Sequence, residues 1–337
     1  MILAGDIGGT NTTLAILSRS GATFSIEERE RYRSPALSGI EEALSDFVGR
    51  TTRKVTTCCL SGAGPVREGV CTLTNLPWTI DQSRVESLLG VRTFVINDFS
   101  AICYALPLID THPSISAIQL SAPDGALAVS TGSVRAVIGA GTGLGTGFLT
   151  MDRDRFVAHP SEGGHSDFGP YDDEMEGLAH YLRNRFEAPP GAEQFVSGQG
   201  IENAFRYVVS SRGLENDPTI SQLLAMEDPM RPGAVARAAD EHGDLADVMR
   251  LFVRMYARYA SSTALFFLPT AGLYLAGGIA AKNARWLSDD HLFMRTFLSS
   301  YSRRMVPVLA AIPVYLVKDY DVSLYGAANA AESLGET

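Results

Sequence analysis

The first third of the chain alternates short apolar runs with glycine-rich turns and helix-like stretches, a pattern that predicts an α/β fold. The opening segment "ILAGDIGGTNTTLAIL", residues 2–17, predicts a strand, a glycine turn and a second strand. Residues 74–81, "TNLPWTID", predict a loop in which Asp81 caps the following helix. The other elements predicted here are strands near 23–32, 54–64 and 92–98, and helices at 37–49 and up to Leu89.

The second part of the chain repeats this theme. Residues 135–152, "RAVIGAGTGLGTGFLTMD", again predict a strand, a Gly/Thr turn and a strand, and residues 272–283 predict a strand that turns through Gly277 and Gly278 into a helix. No low-complexity linker separates the two parts, so a hinge would lie at the short crossings near 107 and 318. The remaining predicted elements are helices at 173–186, 199–210 and 245–268, a strand at 312–318 and a terminal helix at 323–334.

The most apolar of these helices, 245–268, does not have the pattern of a membrane span. Arg250, Arg254 and Arg258 recur at every fourth residue and form a polar stripe along it. The segment therefore predicts an amphipathic helix with one buried end.

Composition narrows the class of protein. The 337 residues are 45% hydrophobic, enough for a large core. A net charge of -10 argues against a nucleic-acid partner, although a small anion can still bind where backbone N–H groups converge. The four cysteines, Cys58, Cys59, Cys71 and Cys103, form no CxxC pair or Cys/His cluster, and the opening residues show no signal-peptide pattern. We therefore expect reduced thiols in a cytoplasmic protein.

Glycine occupies every second position of "GAGTGLGTG", residues 139–147. Such spacing costs a strand about 0.5–1 kcal/mol per glycine, and a turn that must closely approach a ligand is the usual compensation. The spacing is not that of a dinucleotide-binding G-x-G-x-x-G turn. A Walker A loop is also excluded, because none of the three lysines, Lys54, Lys282 and Lys318, follows a glycine.

With both of these turns excluded, the interpretation left for residues 139–147 is a hairpin that presents backbone N–H groups and Thr142 to an anion. "GDIGGTN", residues 5–11, is a second such hairpin, with Asp6, Thr10 and Asn11. Two of them could hold a phosphate chain, and Asp6 could bind Mg²⁺ directly or through water. Irregular hairpins, with Asp6 as a mere turn-former, are the alternative.

"FVINDFSA", residues 94–101, places an amide and a carboxylate where a strand ends and an apolar helix begins. Asp98 could simply cap that helix. Alternatively, a carboxylate at the carboxyl end of a strand could act on a ligand bound there.

In its motifs the chain resembles the bacterial glucokinases of the hexokinase/actin-like ATPase superfamily. The resemblance covers residues 5 to about 317 and is specific only as a combination of motifs. A cysteine- and histidine-containing zinc motif typical of the related repressor/kinase group is absent, which favours the zinc-free branch. The motifs are "GDIGGTN", "LPW", "VINDFSA", "GAGTGLG", "PSEGGHSDF", "EQFVSGQGI", "LAGGI" and "IPVYLV".

The resemblance implies two actin-like, ribonuclease H-like domains with mixed sheets flanked by helices and a ligand cleft between them. The expected domains are a small one, 1–107 plus 318–337, and a large one, 108–317. It further implies ATP and Mg²⁺ as cofactors, with Mg²⁺ at Asp6, and a homodimer. The residues expected to bind ATP are Gly5, Asp6, Ile7, Gly8, Gly9, Thr10, Asn11, Gly141, Thr142, Gly143, Gly277 and Gly278.

The implied activity is ATP-dependent phosphorylation of D-glucose to glucose 6-phosphate, the first step of glycolysis. Asp98 would be the catalytic base that takes the proton of the 6-hydroxyl, since phosphoryl transfer mainly needs positioned groups. The resemblance implies that glucose is bound by Asn97, Asp98, Glu162, His165 and Glu193.

Several alternatives stay open at this point. Glu162 and His165 could belong to an ordinary surface turn, and Glu193 could be a plain surface carboxylate. The acceptor could be fructose, mannose or an amino sugar. A non-catalytic sugar sensor on the same fold is possible, as is a filament-forming or chaperone ATPase, which would not need "EGGH" beside "IND".

Overall fold

The computed structural model describes residues 1–21, 23–109, 111–112, 115–153, 155–228, 230–319 and 322–335. These residues form two compact units. The first comprises Met1–Ser116, Leu149–Pro160 and Asp319–Thr337, and the second comprises Ala117–Phe148 and Ser161–Lys318. The domain boundaries predicted at 107/108 and 317/318 stay a prediction.

The strands, in chain order, are β1 Ile2–Ile7, β2 Asn11–Ser20, β3 Thr23–Arg33, β4 Thr57–Gly62, β5 Val66–Arg67, β6 Val70–Thr72, β7 Thr79–Asp81, β8 Arg92–Asn97, β9 Ala117–Gln119, β10 Arg135–Ala140, β11 Leu144–Asp152, β12 Arg155–Ser161, β13 Gly272–Ala276 and β14 Val314–Val317.

The α-helices are α1 Ile40–Arg50, α2 Gln82–Leu89, α3 Asp98–Ala105, α4 Asp173–Phe186, α5 Gly198–Arg212, α6 Pro218–Leu224, α7 Arg231–Ala238, α8 Gly243–Phe267, α9 Gly278–Lys282, α10 Ala284–Ser288, α11 Leu292–Leu298, α12 Val306–Ala310 and α13 Val322–Gly335. Short 3₁₀ turns at Gly163–His165 and Ala192–Gln194 belong to the site described below.

The first unit is built on a mixed five-stranded sheet of order β3-β2-β1-β4-β8. Strands β1, β4 and β8 are parallel, and their register aligns Ile7, Gly62 and Asn97 in one row. Because carboxyl ends of parallel strands meet at one sheet edge, the β1–β2 turn and the start of α3 lie at the same edge. A core of side chains from this sheet, α1 and α2 fixes that edge. The four cysteines are free, buried and all in this unit.

The second sheet has the order β12-β11-β10-β13-β14-β9, so its first five strands repeat the order of the first sheet. Strands β10, β13 and β14 are parallel, and Gly139 of β10 is paired with Ala276 of β13. The turns that follow these two strands therefore share an edge. The core of this unit packs the long helix α8 and helices α4, α5 and α11 against the sheet.

The structure confirms the predicted mixed α/β fold. Helix α4 has the predicted bounds, and Asp81 caps α2 by accepting hydrogen bonds from the N–H groups of Ser83 and Arg84. Residues 74–81, predicted as a loop, end in strand β7, which forms a small antiparallel sheet with β5 and β6. None of the helices in the described ranges is long and apolar enough to cross a membrane.

Candidate active site

The first glycine hairpin joins β1 to β2. The N–H of Gly8 donates to the carbonyl of Asn11 at 2.9 Å, and the hydroxyl of Ser34 donates to the carbonyl of Gly8 at 2.7 Å. Gly8 and Gly9 are half-buried and Thr10 is exposed, so this turn can present backbone N–H groups to a ligand. The turn is tied down by β3 and its following segment, which limits its freedom.

Two residues of the predicted ATP-binding set support the hairpin rather than face a ligand. The side chain of Ile7 is fully buried in the core of the first unit. A Cβ at Gly5 would lie 2.6 Å from Leu60 Cδ2, so glycine is needed there for close packing of β1 on β4. Asn11 is the first residue of β2 and is half-buried.

Asp6 lies on β1, one residue before the end of the strand, and is half-buried. Its Oδ2 accepts a hydrogen bond of 2.8 Å from the hydroxyl of Ser323, near the start of α13. This bond fixes the direction of the carboxylate at the edge where the hairpin turns. Asp6 is thus oriented as an anionic group beside the Gly8–Thr10 turn.

Asp98 is the first residue of α3, directly after β8, and the cap of this helix is Asn97. The N–H of Phe99 donates to Asn97 Oδ1 at 2.8 Å and to Asp98 Oδ1 at 3.0 Å. The alternative that Asp98 serves as the helix cap is therefore wrong, because Asn97 caps the helix. Asp98 is half-buried at the same sheet edge as Asp6.

The pKa of Asp98 is raised to about 6, chiefly by burial. The hydrogen bond from the N–H of Phe99 lowers this pKa, and the nearby negative charge of Asp6 raises it. A carboxylate with this pKa is mostly ionised at neutral pH yet basic enough to accept a proton efficiently. The two carboxylates thus differ in role: one is oriented by a hydroxyl, and the other is a moderately strong base.

Asn97 has a structural role besides capping α3. Its Nδ2 donates to the carbonyl of Gly64 at 3.0 Å, and the thiol of Cys71 lies 3.7 Å from the same oxygen. Gly64 has no room for a side chain, because a Cβ would lie 2.0 Å from the carbonyl oxygen of Thr72. Asn97 can therefore bind a ligand only through its remaining N–H and its remaining lone pair.

The second glycine hairpin, Gly141–Gly143, joins β10 to β11. The N–H of Gly141 donates to the carbonyl of Gly143, and the N–H of Gly198 donates to the carbonyl of Gly141, both at 2.9 Å. The latter bond places the first turn of α5 against the hairpin. The positive end of a helix dipole and a glycine turn together favour an anion.

Glu193 supports this second hairpin directly. Its Oε2 accepts a hydrogen bond of 2.8 Å from the N–H of Leu144, the residue after Gly143. A Cβ at Gly143 would lie 2.6 Å from that same oxygen. The sequence predicts Glu193 only as a sugar ligand. In the structure it also holds the second glycine hairpin in place.

A cavity of about 1180 Å³ opens in the second unit beside this hairpin. Gly141 and Thr142 form one part of its wall, and Gly278, Lys282 and Trp286 form another. Gly277, just before α9, has φ of 91°, and a Cβ there would lie 2.6 Å from the carbonyl oxygen of Ala140. Glycine is therefore required where β13 turns into α9, which brings that helix close to the hairpin.

Sequence reasoning missed an ion pair at the wall of this cavity. Glu202, which lines the cavity, and Arg231 behind it are 3% and 2% exposed and form a buried ion pair that also contacts Arg206 and Asp228. Glu202 and Arg231 are 29 residues apart, and no local pattern predicts their contact. Lys282 at the cavity wall could have been predicted from one feature of the sequence: it is one of only three lysines, and it closely follows the "GG" turn.

The "EGGH" segment packs on the strand that leaves the second hairpin. A Cβ at Gly164 would lie 1.8 Å from the carbonyl oxygen of Leu144, so only glycine fits there. The tight turn leaves the side chains of Glu162 and His165 largely exposed, with Glu162 Oε2 3.5 Å from His165 Nδ1. The N–H of Ala192 donates to the carbonyl of Ser166, which ties this segment to the turn that carries Glu193.

Within the second unit, the structure thus brings Glu162, His165 and Glu193 together around Leu144. Within the first unit, it brings Asn97, Asp98 and Asp6 to one sheet edge beside a glycine hairpin. Two sheets of repeated strand order, each with a glycine hairpin after its central strand, define an α/β protein of the actin-like class.

Comparison with known proteins narrows this class. The family model described as "Glucokinase" matches residues 3–334, and the chain belongs to this family. It is 32% identical to the Glucokinase of Nostoc punctiforme, over 99% of both chains. The fold is similar to that of a glucokinase from an Antarctic psychrotroph (TM-score 0.81, 25% identity, 98% of both chains). It is also similar to that of the Balamuthia mandrillaris glucokinase in complex with glucose (TM-score 0.76, 23% identity, 98% of this chain and 93% of that one).

Proposed function

We propose that the protein catalyses transfer of the terminal phosphoryl group of ATP to the 6-hydroxyl of D-glucose, which makes it a glucokinase. Membership of the Glucokinase family supports the reaction. The observation that carries the mechanism is the placement of Asp98, a half-buried carboxylate at a strand end whose pKa is raised to about 6. This group removes the hydroxyl proton as the oxygen attacks phosphorus.

The residues that bind the sugar in this proposal are Asn97, Asp98, Glu162, His165 and Glu193. Carboxylate oxygens accept hydrogen bonds from sugar hydroxyls, while the imidazole and the amide can each donate and accept. The exposed side chains of Glu162 and His165 leave their polar atoms available for this purpose. A positioned base typically contributes ~10²–10⁴ in rate, and the other contacts orient the hydroxyl.

ATP is held mainly by backbone groups. The N–H groups of Gly9, Thr10, Thr142 and Gly143 bind the phosphates, while Gly8 and Gly141 close the two turns through their own N–H groups. Asp6, Asn11 and the buried Gly5 and Ile7 support the first turn. The adenosine occupies the cavity of about 1180 Å³, whose wall includes Gly278, the residue after the turn at Gly277. This volume exceeds the ~300–1,000 Å³ of ordinary ligand pockets and is ample for a nucleoside.

The residues present fit a Mg²⁺ ion that arrives with the nucleotide. No cluster of three or more ligating His, Cys, Asp or Glu side chains occurs among the residues that the structure describes. Mg²⁺ does not need one, since it keeps several waters and binds through one or two carboxylates plus substrate phosphates. Asp6, fixed by Ser323, would hold it directly or through water. When bound, the ion neutralises phosphate charge.

A coupled assay of ATP consumption tests the proposal with glucose, fructose, mannose and glucosamine as acceptors. Glucose is expected to give the highest kcat/KM. Faster turnover of another hexose would reassign the acceptor, and no turnover on any sugar would favour a non-catalytic sugar sensor. The homodimer and the cytoplasmic location remain predictions, and sedimentation of the purified protein tests the first of them.

A further inference from the structure

A second cavity, of about 250 Å³, lies in the second unit and shares no wall residue with the larger one. One side of it is the segment around "EGGH", through Ser161, Gly163 and Asp167. The opposite side is the carboxyl-terminal half of α8, through Arg258 and Ser262. The volume suits one small metabolite, since nucleotide and drug-sized pockets usually exceed ~300 Å³.

Arg258 forms no ion pair with any residue in the described ranges of the chain. Its Nη1 donates to the neutral carbonyl of Ser299 at 2.8 Å, and its guanidinium lies 4.8 Å from the ring centre of Tyr171. Its Nε is buried and has no hydrogen-bond partner in the described part of the chain. The other arginines of the stripe differ: Arg250 pairs with Asp247, and Arg254 pairs with two acidic side chains of the α4 region.

This unpaired state is unfavourable for a half-buried charge. Burial lowers the pKa of Arg258, and no carboxylate contributes in the opposite direction. The guanidinium nevertheless stays protonated at neutral pH, because arginine does not lose its proton in proteins. An anion bound in the cavity that Arg258 lines would supply the missing charge and accept a charge-assisted hydrogen bond from the guanidinium.

The rest of the wall restricts the kind of anion. Asp167 carries a carboxylate that would repel a second negative group but accept hydrogen bonds from hydroxyls. The hydroxyls of Ser166 and Ser262 also line the cavity, and Phe168 and Phe267 supply an apolar face. A ligand with one anionic end and a hydroxylated body meets all of these groups.

We propose that this cavity is a binding site for a small sugar phosphate, with its phosphate against Arg258 and a hydroxyl against Asp167. Because Ser161 and Gly163 belong to its wall, a bound ligand contacts the segment that carries Glu162 and His165. This consequence rests on the proposed function: occupancy should weaken catalysis in a manner that excess glucose does not relieve.

Calorimetric titration of the whole protein tests the site. Glucose 6-phosphate, inorganic phosphate and glucose are each titrated, with and without saturating glucose. One equivalent of glucose 6-phosphate is expected to bind even at saturating glucose, and more tightly than inorganic phosphate. Arg258→Gln should weaken this binding at least ~10-fold, as expected for loss of a charge-assisted contact. The matched variant Arg250→Gln, on the same helix, should leave it unchanged.

A second pair of variants tests the site without removing Arg258. Ser262 lies four residues further along α8 and lines the same cavity. Ser262→Asp would place a carboxylate at helical i, i+4 spacing from Arg258, where the two side chains are neighbours on the helix surface. Binding of glucose 6-phosphate should then be lost while the melting temperature is kept, and Ser262→Ala should still bind.

Undiminished glucose 6-phosphate binding in Arg258→Gln or in Ser262→Asp would overturn the proposal. So would the absence of such binding in the wild type at saturating glucose, or equal affinity for inorganic phosphate. Failure of the proposed function is distinguishable, because it would appear as absent turnover on every hexose while titrations without glucose still report on Arg258.

Discussion

Asn97 and Asp98 share one hydrogen-bond donor, the backbone N–H of Phe99, at 2.8 Å and 3.0 Å. Asn97 is the cap of α3, so the helix does not depend on the carboxylate of its neighbour. The effect of removing Asp98 on activity can therefore be separated from its effect on the local fold.

Asp98→Ala is expected to lower kcat at least ~10²-fold, because the base is lost. Glucose binding should remain measurable, because the other proposed sugar ligands are kept. Steady-state kinetics and calorimetric titration with glucose check this. Asp81→Ala is the matched control, since Asp81 caps α2 in the same unit. It should cost about 0.5–2 kcal/mol of stability but leave kcat unchanged. Retention of most activity by Asp98→Ala would remove Asp98 from the base role.

The rate should depend on pH as the ionisation of Asp98 dictates. Its pKa is raised to about 6, chiefly by burial, and only the ionised form can accept the hydroxyl proton. We expect kcat/KM to fall as the pH drops below about 6 and to level off above it. A profile measured from pH 5 to 8 at constant ionic strength checks this. If kcat/KM of Asp98→Asn still falls at low pH, the fall is caused by the protonation of another group.

The same pKa shift predicts a cost in stability. An unfolded aspartate titrates near ~3.9, whereas the folded one binds its proton up to about pH 6. Between these values the folded state holds more protons, so the free energy of unfolding falls as the pH rises. Asp98→Asn should lose this slope and be more stable than the wild type at pH 7. Urea titrations at pH 4.5 and 7 measure both effects, and a less stable variant at pH 7 would contradict the burial argument.

Glu193 should behave differently from Glu162 and His165. Alanine at either of the latter two is expected to weaken glucose affinity and leave ATP affinity nearly unchanged, because their side chains are largely exposed. Glu193→Ala should weaken both, since it leaves the N–H of Leu144 beside the second hairpin unpaired. Glu193→Gln keeps an acceptor for that N–H and should restore ATP affinity. Equal losses for both ligands in Glu162→Ala would indicate a folding defect instead.

Gly164 offers a steric test of the "EGGH" turn. Gly164→Ala would place a Cβ 1.8 Å from the carbonyl oxygen of Leu144, so the turn must move. We expect destabilisation of at least ~1–3 kcal/mol, together with weaker glucose binding. At Gly169 a Cβ meets nothing within 4 Å, so Gly169→Ala should be nearly neutral. Thermal unfolding of both variants measures the contrast, and similar melting temperatures would argue against the close packing.

Local patterns made the frame of each unit predictable. The glycine hairpins were found because a turn flanked by two apolar runs is encoded within about twenty residues. Helix α4 was found with its bounds because Asp172 caps it and its apolar residues keep helical spacing. The sites near Asp98 and Glu162 came from motifs read as a set, since no single motif was specific.

What the sequence did not reveal depends on contacts between distant segments. Strands β5, β6 and β7 have two or three residues each, too few for a periodic pattern. Asn97 and Asp98 are adjacent and both belong to favoured capping residue types, so the sequence alone does not decide which of them caps the helix. The burial of Arg231 with Glu202 follows only from three-dimensional packing. The same holds for Arg258, which bonds a neutral carbonyl and pairs with no carboxylate among the described residues.

The four buried thiols have a practical use. All of them lie in the first unit, and burial raises the pKa of Cys71 to about 11 and of Cys103 to about 12, so neither is a nucleophile in the closed structure. A thiol reagent can therefore modify the chain only when the first unit opens. The kinetics of thiol labelling would therefore measure the opening rate of the first unit alone, without an engineered probe.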